Sequence, residues 1–351
     1  MLVNTEILSI VCGENAYYEK INRAASVIRR GGLVVFPTET VYGLGADATN
    51  PVAAKSIFIA KGRPSDNPLI VHIADPRDAE KYTYTNDVYY RLAAAFMPGP
   101  LTVVLNSKDT VPWETRGGLT TVAVRCPENK IARDIISASG VPIAAPSANL
   151  SGTPSPTSAK HVIDDMMGRV DMIVDGGESE FGLESTIVKV NSDNTVTLLR
   201  PGKITVEQLS SVAGEVNIAD AVTDKLADNE KALSPGMKYR HYAPASPLLL
   251  IDGESEDIIS YIKSESLSRV AVIVYEEDFE QFRASLPDVT CYAFGKKEDE
   301  LTQAHLLFSL LREVDKENFD KIYAPLPQKS GIGLALYNRM IRAAAHKIVK
   351  V

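Results

Sequence analysis

Leu33-Val34-Val35-Phe36-Pro37-Thr38-Glu39-Thr40-Val41-Tyr42-Gly43-Leu44 sets a short apolar, β-branched run directly before a cluster of small polar residues. Runs of the first kind read as buried strands. In an α/β sheet the residues just past the strand ends line the ligand crevice. The same juxtaposition recurs along the first 200 residues. Lys61-Gly62-Arg63-Pro64 and Asn67-Pro68 lead into Leu69-Ile70-Val71-His72-Ile73, and Arg125-Cys126-Pro127 closes the strand at 121–124. Pro146-Ser147-Ala148-Asn149 follows the strand at 141–145, and Glu184-Ser185-Thr186 opens the one at 186–190. With further runs at 101–105, 172–174 and 196–199, about eight strands alternate with helices such as 13–30 and 51–60. The first of these helices is stopped by Gly31-Gly32 and the second begins with a proline. A mixed, twisted α/β sheet with helices is therefore expected over residues 1–212.

From Pro247 the pattern turns regular. Strands at 248–251, 270–274, 289–293 and 321–323 alternate with helices at 257–263, 279–284, 299–314 and 332–348. That alternation predicts a smaller Rossmann-like, three-layer domain with a parallel sheet over 245–351. Between the two domains, 213–244 lacks apolar periodicity and holds Ser234-Pro235-Gly236-Met237-Lys238-Tyr239-Arg240-His241-Tyr242-Ala243-Pro244. This composition fits a solvated linker, and its Lys, Arg, His and Tyr content equally fits a segment lying over an anionic site.

The chain has 351 residues, 45% hydrophobic and 23% charged, as in ordinary globular proteins. Its net charge of −8 is shared by both halves and argues against a chain built to grip nucleic acid through phosphates. No apolar run approaches the roughly 18–20 residues of a membrane span, and the N-terminus lacks the basic start and apolar stretch of a signal peptide. Cys12, Cys126 and Cys291 are odd in number and widely spaced, which suits neither a disulfide framework nor a zinc site. A reducing, cytoplasmic setting without a membrane partner is expected.

Each cluster taken singly has two readings. Lys61 and Arg63 at a helix end complement the macrodipole, or clamp phosphate oxygens where Gly62 lets backbone approach a ligand. Ser147 and Asn149 form an ordinary polar turn, or meet a phosphate and its Mg²⁺. A strand histidine such as His72 is more often a satisfied core residue than a catalyst. For Arg125, a buried carboxylate partner and a substrate carboxylate are equally good explanations. The phosphate loop G-x-x-x-x-G-K-[ST], the dinucleotide fingerprint G-x-G-x-x-G, H-E-x-x-H and G-x-S-x-G are all absent from the sequence.

Together and in this order, the clusters resemble the YrdC-type threonylcarbamoyl-AMP synthases in their long, two-domain form, over nearly the whole chain. Lys61-x-Arg63 with Ser147-x-Asn149 looks like that family's catalytic tetrad, and 234–244 looks like its interdomain linker. The resemblance implies a nucleotidyltransferase that makes threonylcarbamoyl-AMP, pyrophosphate and water from L-threonine, bicarbonate and ATP. Mg²⁺ would enter with the ATP phosphates, with no directly assigned metal ligand. Arg63, Asn67, Thr121, Ser147, Ser155, Arg200 and Ser234 would bind ATP. Thr40, His72, Arg125, Ala145 and Ser185 would surround L-threonine, and the linker would close over the site. Downstream, tRNA threonylcarbamoyl-transferase proteins would pass the group to the adenosine beside the anticodon, with at most a weak direct contact to tRNA. Two other classes stand beside this one. A double-stranded RNA or tRNA-binding module is disfavoured by the acidic balance. A carbamoyl-transfer maturation factor would need zinc-finger cysteines that the chain lacks.

Overall fold

The computed structural model describes residues 3–224, 242–265 and 267–351. The chain forms two compact units, Met1–Ser151 with Ser155–Lys238, and Gly152–Pro154 with Tyr239–Val351.

In chain order the first unit contains β1 (Glu6–Ser9), α1 (Tyr17–Arg29), β2 (Val34–Phe36), β3 (Gly43–Asp47), α2 (Pro51–Lys61) and β4 (Ile70–His72). Next come α3 (Asp87–Phe96), β5 (Leu101–Asn106), α4 (Trp113–Arg116), β6 (Thr121–Arg125), α5 (Lys130–Ser139) and β7 (Ile143–Ala144). Finally there are α6 (Ala159–Met166), β8 (Met172–Asp175), β9 (Thr186–Val190), β10 (Val196–Arg200), α7 (Val206–Ala213) and β11 (Val216–Ile218). The strands make one eleven-stranded mixed sheet in the order β1-β8-β2-β3-β7-β4-β6-β5-β9-β10-β11. Tyr17, Ile21, Ala24, Val27 and Ile28 of α1 pack with Ile131, Ile135 and Ile136 of α5 against Phe36, Ile143, Met172 and Val174 of the sheet. The helical spacing of those α1 residues is what the burial of one face requires.

Three of these strands depart from the sequence expectation. β1 is a short edge strand, and β11 adds an edge within 213–244, where no element was expected. β3 carries two glycines and an aspartate, all weak strand formers, so its residues read as a crevice loop. Packing decides otherwise. A Cβ on Gly45 would stand 2.5 Å from Phe36 Cε1 and 2.7 Å from Ile143 Cγ2. Glycine is therefore what lets β3 lie between β2 and β7.

The second unit contains β12 (Leu248–Asp252), α8 (Ser255–Ser264), β13 (Val270–Val274), α9 (Phe279–Ser285), β14 (Thr290–Ala293), α10 (Glu300–Asp315), β15 (Lys321–Pro325), α11 (Gly333–Ala343) and β16 (Ile348–Lys350). Its five-stranded sheet, ordered β14-β13-β15-β12-β16, is parallel throughout, as the βα alternation predicts. One expectation is corrected here. The last helix does not run to Ile348 but ends at Ala343, because Ala345 and His346 adopt positive φ of 50° and 63°. The freed residues form β16 beside β12.

Candidate active site

The strand register builds the centre of the site. His72 lies opposite Arg125 across the parallel β4–β6 pair, and Arg125 lies opposite Thr102 across β5–β6. Paired residues share a sheet face, and along β6 the period of two puts Thr121, Ala123 and Arg125 on it. Between Thr121 at one end and Arg125 at the other, Ile70, Ala123 and Val104 form an apolar floor that packs with Ile187 and Leu199. At about 3.3 Å per residue this stretch of β6 is roughly 13 Å long.

At the Arg125 end the polar groups interlock. The turn from β2 to β3 holds itself together through Thr38, whose Oγ1 donates to Val41 O at 2.6 Å and accepts from the backbone N–H of Thr40 and Val41 at 3.2 Å each. Thr40 Oγ1 lies 2.9 Å from Thr38 Oγ1. Phe181 N–H and Gly182 N–H then fasten the carbonyls of Glu39 and Thr40. So fixed, Glu39 Oε1 accepts from Arg125 Nη2 at 2.6 Å, with both side chains only 5% exposed. Ser185 Oγ sits 2.8 Å from Thr102 Oγ1, and Arg200 donates to Ser185 through Nη2 and Nε, each at 3.1 Å.

His72 is buried beside this cluster, its Nδ1 3.1 Å from Ile70 O and its ring edge-on to Phe36. Burial first, and the nearby Arg125 cation second, push its pKa from 6.5 down to about 3. The ring is thus neutral at physiological pH and leaves Nε2 as an acceptor when Nδ1 carries the hydrogen. The unfolded chain binds this proton more readily than the folded one. Its contribution is complete above pH 6.5 and is lost as pH falls toward 3. Chemical-denaturation stability should drop by about 4 kcal/mol across that window through this one group. A His72→Gln variant should show a flatter profile, and an unchanged slope would contradict the assignment. Cys126 is buried next to Arg125 in sequence, and burial raises its thiol to about 12, which makes it a poor nucleophile.

A second group gathers around Lys61, the last residue of α2. That helix starts at Asn50, whose side chain caps the Val52 and Ala53 N–H groups, and ends at Gly62, with φ +61°. The ammonium of Lys61, 3% exposed, donates to Ser147 O at 2.5 Å, Asn149 O at 2.6 Å and Asn149 Oδ1 at 3.3 Å. Ser147 Oγ donates to Asn149 Oδ1 at 2.5 Å. The same loop is stitched to β3 by Leu44 N–H to Pro146 O and by Ala148 N–H to Tyr42 O, each at 2.8 Å. Past Gly62, Arg63 lies 3.3 and 3.4 Å from the carbonyls of Asn67 and Pro68. Asn67 is 1% exposed, and neither its Oδ1 nor its Nδ2 has a hydrogen-bond partner among the described residues.

The expected residues therefore sort into neighbourhoods. Thr40, His72, Arg125 and Ser185 lie in or beside the Arg125 cluster. Ala145 is tied to it through its N–H to Ile70 O. Lys61, Ser147 and Asn149 touch one another. Arg63 and Asn67 meet at the start of β4. Thr121 stands at the far end of β6, and Ser155 Oγ donates to Glu184 Oε1 at 2.6 Å. Arg200, expected among the ATP ligands, donates to Ser185 of the threonine set. Ser234 lies outside the described residues, as does 234–241 of the linker motif. Sequence reading gave no role to Glu39, Thr102 or Glu184. Glu39 and Glu184 stood in the quoted clusters, but only the folded turn between β2 and β3 brings Glu39 to Arg125.

Two family models cover the chain in succession. One described as "Telomere recombination", the Sua5–YciO–YrdC group, matches residues 26–202. The other, "Threonylcarbamoyl-AMP synthase, C-terminal domain", matches 204–345. The chain belongs to the threonylcarbamoyl-AMP synthase family. It is similar to the threonylcarbamoyl-AMP synthase of Pyrococcus abyssi, with 44% identity over 343 residues, 95% of this chain and 96% of that one. The synthase of Bacillus subtilis is 44% identical over 335 residues, with 94% of each chain covered. The crystal structure of P. abyssi Sua5 complexed with L-threonine matches at a TM-score of 0.88 and 41% identity, covering 98% of this chain and 99% of that one. As a threonylcarbamoyl-AMP synthase family member the chain is a nucleotidyltransferase-type enzyme that serves tRNA modification. Among the described residues no helix is long and apolar enough to cross a membrane.

Proposed function

We propose that this chain joins L-threonine, bicarbonate and ATP into threonylcarbamoyl-AMP, releasing pyrophosphate and water, on the face shared by β4, β6 and β5. The observation that carries this reading is the polarity of that face. A buried, charge-paired cluster at the Arg125 end suits a small zwitterion, and the Asn67–Thr121 end suits a nucleotide. The apolar floor of Ile70, Ala123 and Val104 runs between the two ends. The P. abyssi relative binds L-threonine, which supports the same substrate here.

Arg125 faces the threonine carboxylate, and Thr40, Ala145 and Ser185 wall the amino acid. Neutral His72 offers an acceptor without adding a competing cation. The Asn67 amide has no hydrogen-bond partner among the described residues, and an asparagine amide matches the paired donor and acceptor of an adenine. Thr121, Ser155, Arg200 and Ser234 complete the ATP set. The α-ammonium of bound threonine first loses its proton to solvent, and the neutral amine then attacks bicarbonate carbon, giving the carbamate and water. A carbamate oxygen then attacks the α-phosphorus, and pyrophosphate leaves. Such a step needs alignment and charge neutralisation more than a protein nucleophile. Half-buried Arg63 supplies a cation to the phosphates, while Lys61 acts through the 147–149 loop whose carbonyls it binds. Mg²⁺ arrives on the ATP phosphates. Ser147 Oγ would be a neutral oxygen donor of the kind that ion accepts when phosphates and water fill the rest of its shell, while Asn149 Oδ1 is taken up by Lys61 and Ser147.

The product feeds tRNA threonylcarbamoyl-transferase proteins in the cytoplasm, with tRNA touched weakly if at all. Residues 1–212 form the catalytic domain in this reading, 213–244 the linker and 245–351 the C-terminal domain. The test is pyrophosphate release from MgATP by the full-length protein. Release that requires both L-threonine and bicarbonate supports the reading, and release indifferent to either contradicts it.

A further inference from the structure

Glu39 has no part in the roles above. It is 5% exposed, and one carboxylate oxygen, Oε1, is committed to Arg125. The other, Oε2, is buried and has no hydrogen-bond partner among the described residues. A buried carboxylate oxygen without a donor is costly and calls for an explanation. The groups around it narrow the choice of donor. His72 is held neutral by burial and by Arg125 and brings no positive charge. Thr40, one residue on, has its hydroxyl against Thr38. Arg125 spends Nη2 on Glu39 and directs Nε toward Gly99 O at 3.4 Å, which leaves its guanidinium further N–H donors. The pair thus presents guanidinium donors and a carboxylate acceptor side by side, the complement of an α-amino acid zwitterion.

We propose that Glu39 Oε2 receives the α-ammonium of the amino-acid substrate while Arg125 receives its carboxylate. Glu39 is then a substrate-binding residue that selects for a free α-amine, the group the reaction goes on to carbamoylate. This rests on the threonine site proposed above.

The experiment is calorimetric titration of full-length wild-type and Glu39→Gln protein with L-threonine and with 3-hydroxybutyrate, which is threonine without its amine. Wild type should bind threonine at least tenfold more tightly than 3-hydroxybutyrate. Glu39→Gln keeps an acceptor for Arg125, so it should lose at least tenfold for threonine, hold 3-hydroxybutyrate as before and leave ATP affinity unchanged. Equal losses for both ligands would assign Glu39 to holding Arg125 alone and overturn the proposal. Should the variant fail to fold, the wild-type arm still decides, because equal affinity for the two ligands overturns the proposal. Wild-type protein that binds no threonine would overturn it together with the site reading beneath it.

Discussion

Lys61→Met should lower pyrophosphate release at least about a thousandfold and cost measurable stability. The ammonium of Lys61 is less a free phosphate clamp than the pin of the 147–149 loop, bound to Ser147 O, Asn149 O and Asn149 Oδ1. Methionine fills similar space but donates nothing. Two backbone carbonyls would lose a charged donor, at roughly 1–3 kcal/mol for each one left unsatisfied in a buried setting. The loop can relax only by moving Ser147 and Asn149, and a shift of about 1 Å in a positioning group costs on the order of a hundredfold in rate. In the proposed site, loss of a fixed cation near the reacting phosphate would add about 10²–10³. Lys61→Arg should not rescue, because a planar fork cannot replace a compact ammonium reaching three oxygens in one loop. Thermal melting and the pyrophosphate assay check this. A folded Lys61→Met protein at half the wild-type rate would contradict it.

Arg63→Ala should leave the melting temperature nearly unchanged and lower kcat/KM for ATP by about 10²–10³. The contrast with Lys61 follows from position. Gly62 adopts a left-handed φ of +61°, so the chain leaves the axis of α2 and Arg63 sits half-buried, 6.0 Å from the Phe58 ring. The guanidinium lies 3.3 and 3.4 Å from the carbonyls of Asn67 and Pro68, long for hydrogen bonds. Truncating a half-buried side chain held by long contacts should cost little stability, about 1 kcal/mol or less, whereas in the proposed site the guanidinium meets phosphate oxygens. Activity undiminished in this variant would remove Arg63 from the chemistry.

The α/β class, the two-domain layout and most strands were legible because β-branched runs and helix stops are local signals. α2 shows this well, with Asn50 and Pro51 before it and Gly62 after it. What the sequence could not show was decided at a distance. β3 exists because Gly45 fits under Phe36 and Ile143, which no local propensity announces. β16 required the positive φ angles at Ala345 and His346 to cut short a stretch that reads as continuous helix. At the site, Arg125 admitted two explanations, a protein carboxylate or a substrate one. The structure supplies the first through Glu39, more than 80 positions earlier in sequence, and the proposed threonine site keeps the second. The Lys61 cluster was legible as a set of residues but not in its internal logic. That logic lies in backbone carbonyls, which the sequence does not display.

In the proposed reaction one site assembles a threonylcarbamoyl adenylate from three small molecules. Mass spectrometry of the product formed by full-length protein from MgATP, L-threonine and ¹³C-bicarbonate tests it most directly. The expected product is an adenylate that carries both threonine and the ¹³C label, and that disappears when threonine is omitted. ATP consumed with no labelled adenylate, or a label appearing without threonine, would contradict it.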